Sequence, residues 1–287
     1  QLRTINELIS ALEGEGITAA IYDGDTTPYQ KKKIKDNPPN IIITNPDMFH
    51  SGFLPYHSNW GDFFKNLKFI VIDELHTYRG VFGSHIAQVF RRMNRIIEHY
   101  GGSPQYMACS ATIPNPEEFA ETLTGLPFEV VRSSGAPEPD RHFIFINPTV
   151  SPYTETVSLI KRLLENDLKV IAFTKSRKIT ELIHTWIIQQ NPAFAPYVSS
   201  YRAGFLPEER RTIEKDLFEG RIRAVISTSA LEVGIDIGGL DACILVGYPG
   251  TIINTWQRGG RAGRGDSPAL IMLLAQQDAL DQYFMKN

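Results

Sequence analysis

Five short runs constrain most strongly what this chain can fold into. They are Ile41-Ile42-Ile43-Thr44, Phe69-Ile70-Val71-Ile72, Val170-Ile171-Ala172-Phe173, Ala224-Val225-Ile226-Ser227 and Ile244-Leu245-Val246. Each is aliphatic almost throughout, too short for a helix, and lacks the alternation of a strand with one wet face. A continuously apolar strand is covered on both faces, as in a parallel sheet flanked by helices.

Helical patterns lie between the runs. After Ser176, residues Ile179, Leu182, Ile183, Trp186 and Ile187 recur at helical spacing. A second helix is expected from Pro207, with Glu208 and Glu209 in its first turn, burying Ile213, Leu217 and Phe218 and stopping at Gly220. A third places Ile86, Val89, Phe90, Met93, Ile96 and Ile97 on one face and Arg91, Arg92 and Arg95 on the other. Strand and helix alternate along the whole chain, which predicts an α/β fold.

The stretch from Ser133 to Pro152 breaks this rhythm with Ser133-Ser134-Gly135-Ala136-Pro137-Glu138-Pro139-Asp140, Asn147-Pro148 and Ser151-Pro152. Repeated proline and small residues suit a connection between domains. The expected division is residues 1–140 and 141–287.

With 287 residues, 42% hydrophobic and 21% charged, the chain is long enough for two globular domains and is neither disordered nor membrane-like in composition. No apolar run approaches the roughly 20 residues needed to span a bilayer. A formal net charge of −3 excludes a global basic field. Local clusters remain at Lys31-Lys32-Lys33-Ile34-Lys35, at Arg91-Arg92 with Arg95, and at Arg210-Arg211. The two cysteines, Cys109 and Cys243, both fall in strand-like surroundings and form no CxxC pair. A reducing, cytoplasmic setting fits them best.

Chemistry concentrates in two places. The run Phe69–Ile72 ends abruptly in Asp73-Glu74-Leu75-His76. Acids at the carboxyl end of a buried parallel strand sit where α/β proteins bind ligands. One carboxylate to hold a metal and one to orient water suit the cleavage of a nucleotide phosphate. Far downstream, Gln257-Arg258-Gly259-Gly260-Arg261-Ala262-Gly263-Arg264 interleaves arginines with glycines. Guanidinium groups bind phosphate bidentately, and glycine lets backbone approach a ligand.

The order of segments is similar to that of superfamily 2 helicases. The match runs through Thr44-Asn45-Pro46-Asp47, Asp73-Glu74-Leu75-His76, Ser110-Ala111-Thr112, Phe173 to Arg177, Ser227 to Asp236, and Gln257 to Arg264. Tyr22-Asp23-Gly24-Asp25-Thr26, Tyr78 to His85 and Gly247-Tyr248-Pro249-Gly250-Thr251 resemble the MrfA/YprA group within it. That resemblance implies two RecA-like doubly wound parallel-sheet domains, ATP and Mg²⁺ as cofactors, and 3′-to-5′ translocation on DNA in repair. The partner it implies is single-stranded or tailed duplex DNA, with RNA left open because backbone contacts do not declare the sugar. No membrane and no stable protein partner are implied.

Residue roles follow from the same resemblance. Asp73 would hold Mg²⁺ and Glu74 would orient and deprotonate the attacking water. Arg261 and Arg264 match arginine fingers of the second domain. His76, Ser110, Thr112, Gly234, Asp236, Gln257 and Arg258 match positions coupling the nucleotide to the nucleic acid. Thr44, Asp47, Arg79, His85, Thr174, Ser176, Arg177, Arg202, Gly204 and Thr228 match nucleic-acid contacts, with Arg79 and His85 flanking a glycine-rich turn.

One expected feature is missing from these residues. No G-x-x-x-x-G-K-[ST] sequence occurs, and Thr174-Lys175-Ser176 has no glycine loop before it. The resemblance therefore implies that the first domain is N-terminally truncated, without its P-loop, and that the family's cysteine-rich C-terminal domain is not among these residues. The expectation is that this polypeptide alone is inactive as an ATPase. A non-catalytic nucleic-acid-binding module and an RNA helicase stand as the alternatives.

Overall fold

A computed structural model describes residues 2–11, 16–111, 113–132, 135, 140–231, 239–263 and 267–286. The chain divides into two compact units, Gln1–Arg132 and Ser133–Asn287.

The first unit runs α1 (Leu2–Ala11), β1 (Ala19–Tyr22), α2 (Pro28–Asp36), β2 (Ile41–Thr44), α3 (Pro46–Met48), α4 (Gly61–Asn66), β3 (Phe69–Ile72), α5 (Gly80–His99), β4 (Gln105–Ala108) and α6 (Pro116–Thr124). Among the described residues its strands form two parallel pairs, β1 with β2 and β3 with β4. One core serves both pairs. It gathers Tyr22, Phe53, Trp60, Phe64, Ile72 and Leu75 with Ile86, Phe90, Met93 and Ile97 of α5. The helical stripe read from the sequence is thus the buried face of α5, with Val89 and Ile96 packed at its margin.

Burial on both faces does not hold in this unit. Phe69 and Val71 of β3 are 55% and 64% exposed, and the four residues of β2 are half-buried. Ile72 of β3 joins the aromatic core and Ile70 packs against it, so one face of the strand is covered while Phe69 and Val71 lie on the other.

The second unit runs β5 (Arg141–Ile146), α7 (Pro152–Glu165), β6 (Val170–Phe173), α8 (Arg177–Gln190), β7 (Val198–Tyr201), α9 (Pro207–Phe218), β8 (Ala224–Ser227), β9 (Ala242–Val246), α10 (Ile252–Gly259), β10 (Ala269–Leu274) and α11 (Ala279–Lys286). Among the described residues these strands make one parallel six-stranded sheet in the order β5-β10-β9-β6-β8-β7. Here the apolar runs are buried on both faces. Val170, Ala172, Ala224, Ile226, Ile244 and Met272 pack on one side against Ile160, Leu163, Ile183 and Ile187 of α7 and α8. Ile171, Phe173, Val225, Cys243, Leu245 and Ile271 pack on the other against Leu217 of α9 and Phe284 of α11. Helices on both faces of a parallel sheet are the doubly wound arrangement. Phe218 departs from expectation: it is 45% exposed, because Leu217 already fills the core side of α9.

Both cysteines are free thiols. Burial pushes the Cys243 thiol well up. Cys109 lies just past β4 and is exposed, not a buried strand residue. No described helix is long and apolar enough to cross a membrane.

Candidate functional site

In the first unit the acidic box leaves the end of β3 and turns at once. Glu74 takes a left-handed backbone conformation (φ 51°, ψ 44°), and a tight helical turn follows over Leu75–Thr77. For a residue other than glycine this conformation is uncommon and costs on the order of 1 kcal/mol or more, so surrounding contacts must hold it. They do. Asp73 Oδ1 accepts the Glu74 N–H at 2.9 Å, the Glu74 carbonyl accepts both N–H and Oγ1–H of Thr77 at 2.8 Å, and Leu75 N donates to Cys109 O at 2.9 Å. The turn leaves Asp73 exposed and Glu74 half-buried beside it.

His76 points inward and is only 5% exposed. Its Nδ1 accepts the backbone N–H of Ala111 at 3.2 Å, with Ser110 Oγ and Glu74 Oε2 each 3.5 Å away. A backbone amide can only donate, so Nδ1 bears no proton in this geometry. Asp73, Glu74, His76 and Ser110 are therefore brought together, whereas Thr112 lies outside the described residues.

Asp73 fits a Mg²⁺ ion of the nucleotide-borne kind. Magnesium keeps most of its shell as water and phosphate oxygen and takes only one or two protein carboxylates, and Asp73 offers one exposed carboxylate at a strand end.

The other first-unit candidates do not gather at this point. Thr44 ends β2, where its Oγ1 donates to Tyr22 O at 2.7 Å and so bridges the two strand ends. Asp47 is exposed on α3, whose first turn is capped by Asn45. The expected glycine-rich turn between Arg79 and His85 is the beginning of α5. Gly80 has φ +56° there, and a Cβ on Gly83 would sit 2.2 Å from Tyr78 O. These glycines therefore serve backbone geometry and close packing, with Arg79 and His85 exposed around them.

In the second unit the candidates line the carboxyl edge of the sheet. Phe173 is in register with Ser227, and Ser227 with Tyr201, so Thr174, Thr228 and Arg202 leave the sheet at one level. Ligands of parallel α/β sheets bind along this edge. Ser176 caps α8, accepting from Ile179 N at 3.3 Å, and Arg177 is exposed at its first position.

Thr174 requires a correction. It is 2% exposed, and its Oγ1 is engaged with Ser176 O at 3.1 Å and Thr180 Oγ1 at 2.7 Å. The hydroxyl braces the loop from inside and does not face a phosphate.

The arginine–glycine segment is largely built into the packing of the second unit. Arg258 is buried on α10 with its guanidinium over the Phe173 ring at 5.4 Å, an anchoring position. A Cβ on Gly259 would lie 2.9 Å from Ile271 Cδ1, so that glycine lets α10 approach β10 and does not open backbone to a ligand. Gln257 and Arg261 are half-buried nearby. The turn beyond Arg261 is pinned by Gly263 N donating to Leu240 O at 2.8 Å. Gly234, Asp236 and Arg264 lie outside the described residues.

A clasp at the same edge escaped the sequence reading. Asp281 of α11 is fully buried and accepts from Tyr248 N at 3.1 Å, Gln276 N at 2.8 Å and Lys175 Nζ at 3.4 Å. It ties the loops after β6 and β9 to the C-terminal helix. The one sequence signal was an acid in the first turn of a short helix, which resembles ordinary helix-start chemistry.

Residues 1–119 match the DEAD/DEAH box helicase family, and residues 155–266 match the helicase conserved C-terminal domain. The chain is 44% identical to the ATP-dependent helicase YprA of Bacillus subtilis, over all of this chain and 40% of that protein. The chain belongs to the superfamily 2 helicases, in the MrfA/YprA group. It is 35% identical to the ATP-dependent helicase HRQ1 of Saccharomyces cerevisiae, over its whole length and 28% of that relative. The crystal structure of the DUF1998 helicase MrfA bound to DNA superimposes with a TM-score of 0.94 at 44% identity, covering 100% of this chain and 39% of MrfA. This helicase chain thus spans two-fifths or less of the length of these relatives. Its two units are the RecA-like domains of the superfamily.

Proposed function

We propose that the protein carrying this chain is an ATP-driven helicase that translocates on DNA from 3′ to 5′ and serves DNA repair in a reducing cytoplasm. One observation carries the reading: His76, next to the strained Glu74, accepts a hydrogen bond from Ala111 in the loop after β4. A rearrangement at a nucleotide phosphate near Glu74 therefore has a direct mechanical path to a second loop.

In this reading Asp73 would hold a Mg²⁺ ion brought with ATP. The ion, when bound, neutralises charge on the β- and γ-phosphates. Glu74 orients the attacking water and takes its proton, with its carboxylate 3.5 Å from His76 Nδ1. Arg261 and Arg264 neutralise charge on the transferred phosphoryl group. Thr44, Asp47, Arg79, His85, Ser176, Arg177, Arg202, Gly204 and Thr228 lie along the nucleic-acid path, gripping backbone phosphates without reading bases. A relative named as an ATP-dependent helicase and a similar structure bound to DNA and AMPPNP support this assignment.

ATP hydrolysis by the full-length polypeptide, measured with and without single-stranded DNA, tests it. DNA should stimulate turnover and Glu74→Gln should abolish it. The 287-residue chain, which contains no G-x-x-x-x-G-K-[ST] sequence, should show no DNA-stimulated turnover alone; robust hydrolysis from it would refute that part. Unwinding of a tailed RNA duplex as fast as the matching DNA duplex would favour RNA.

A further inference from the structure

Glu181 lies one turn into α8 and engages its neighbours with both carboxylate oxygens. Oε1 accepts from Arg202 Nε at 2.8 Å, and Oε2 accepts from Ser200 Oγ at 3.1 Å. The Arg202 guanidinium also lies over the Phe205 ring, 4.6 Å from its centroid. One face and one edge of the guanidinium are thereby fixed, with Nη1 beside Gly204. Arg202 Nη1 lies 2.7 Å from where a Cβ would sit on Gly204, and Arg177 Nη1 lies 3.6 Å from the same point.

Two guanidinium groups thus converge on one spot that only a glycine leaves open. Among the described residues, no carboxylate pairs with Arg177, so the single negative charge of Glu181 is set against two positive ones. Like charges this close repel unless an anion comes between them. A phosphodiester suits the place, because its two non-bridging oxygens can accept from both arginines.

We infer that Glu181 is a positioning residue. It aims Arg202 so that Arg202 and Arg177 together form a notch for one backbone phosphate of the bound strand. This rests on the nucleic-acid reading above and adds a residue with a role opposite in sign to its charge. A carboxylate near a bound polyanion weakens binding by simple electrostatics, and its removal should then tighten binding. A carboxylate that aims an arginine strengthens binding, and its removal weakens it.

The test is fluorescence anisotropy of a labelled oligo-dT single strand with the 287-residue chain, titrated over a range of salt. Glu181→Ala should weaken binding by about tenfold, matching Arg202→Ala, and each should lower the salt slope by about 0.7, the value of one lost single-strand phosphate contact. Glu181→Gln keeps an oxygen for Arg202 Nε and should retain most of the affinity. Glu181→Ala added to Arg202→Ala should change nothing further, since it acts through Arg202. Tighter binding by both Glu181 variants would overturn the inference. So would a Glu181→Ala penalty that persists without Arg202, which would mark a fold defect in α8. A wild-type chain that fails to bind the oligonucleotide would instead overturn the nucleic-acid reading, and the notch with it.

Discussion

Ala111 N donates to His76 Nδ1 across 3.2 Å, and this bond, with Leu75 N donating to Cys109 O, joins the loop after β4 to the loop after β3. It also decides where the imidazole proton sits. With Nδ1 acting as acceptor, the neutral ring carries its proton on Nε2. Glu74 Oε2 faces the same nitrogen from 3.5 Å and cannot share a hydrogen bond with it unless Nδ1 carries a proton and Ala111 is released. Nitrogen NMR of the labelled chain at neutral pH should report the Nε2–H tautomer for His76. A proton found on Nδ1 would mean that Ala111 is not its partner.

The left-handed backbone of Glu74 leads to a second prediction. Glycine enters this conformation without a steric penalty, so Glu74→Gly relieves strain where function requires a carboxylate. Relief of about 1 kcal/mol is expected in urea denaturation, reduced by the greater entropy of the unfolded glycine chain. In the full-length protein the same change should abolish ATP hydrolysis. A clear loss of stability would show that Glu74 is held by its side chain and not imposed on its backbone.

Gly83 should tolerate no side chain. A Cβ would approach the Tyr78 carbonyl to 2.2 Å, and backbone cannot move aside as a flexible side chain can. Gly83→Ala is expected to cost about 3 kcal/mol through overpacking at the start of α5. Gly24→Ala, with nothing within 4 Å of its Cβ, serves as the neutral control. Equal melting temperatures for the two variants would contradict the packing described.

Acid should loosen the C-terminal clasp. Asp278 accepts the Asp281 N–H at 2.9 Å and a bond from Lys175 Nζ at 3.1 Å, and these hold its carboxyl below the usual aspartate range. A folded pKa below the unfolded one gives stability that is present above about pH 4 and lost as pH falls through the lower, folded value. Wild type should therefore exceed Asp278→Asn in urea midpoint at pH 6, and the gap should shrink steadily as pH is lowered below about 4. A gap unchanged across that range would assign the effect to shape and not to charge.

Much of the fold was legible because burial writes directly onto composition. Val170–Phe173 and Ala224–Ser227 are strands with the bounds their apolar runs predict, and the stripe on Gly80–His99 is the buried face of α5. Phe69–Ile72 was read correctly as a strand and wrongly as covered on both faces. Its composition is that of a central strand, but exposure depends on neighbours that composition does not name. Thr174 and Gly259 misled for a related reason: a hydroxyl and a glycine suit a phosphate loop and an interior brace equally well, and only their partners distinguish the uses.

The sequence by itself determined the α/β alternation, the acidic box at a strand end and the order of segments that places the chain among superfamily 2 helicases. These are local signals, written in residues adjacent along the chain. Tertiary structure alone decided that Glu74 sits in a strained turn, that His76 accepts from Ala111, that Asp281 clasps Lys175 and Tyr248, and that Glu181 turns Arg202 toward Arg177. Each except the Glu74 turn joins residues from separate segments, 21 to 106 positions apart where side chains bond across the sheet edge. A hydrogen bond needs its partners within about 3.5 Å, and no one-dimensional pattern reports that distance.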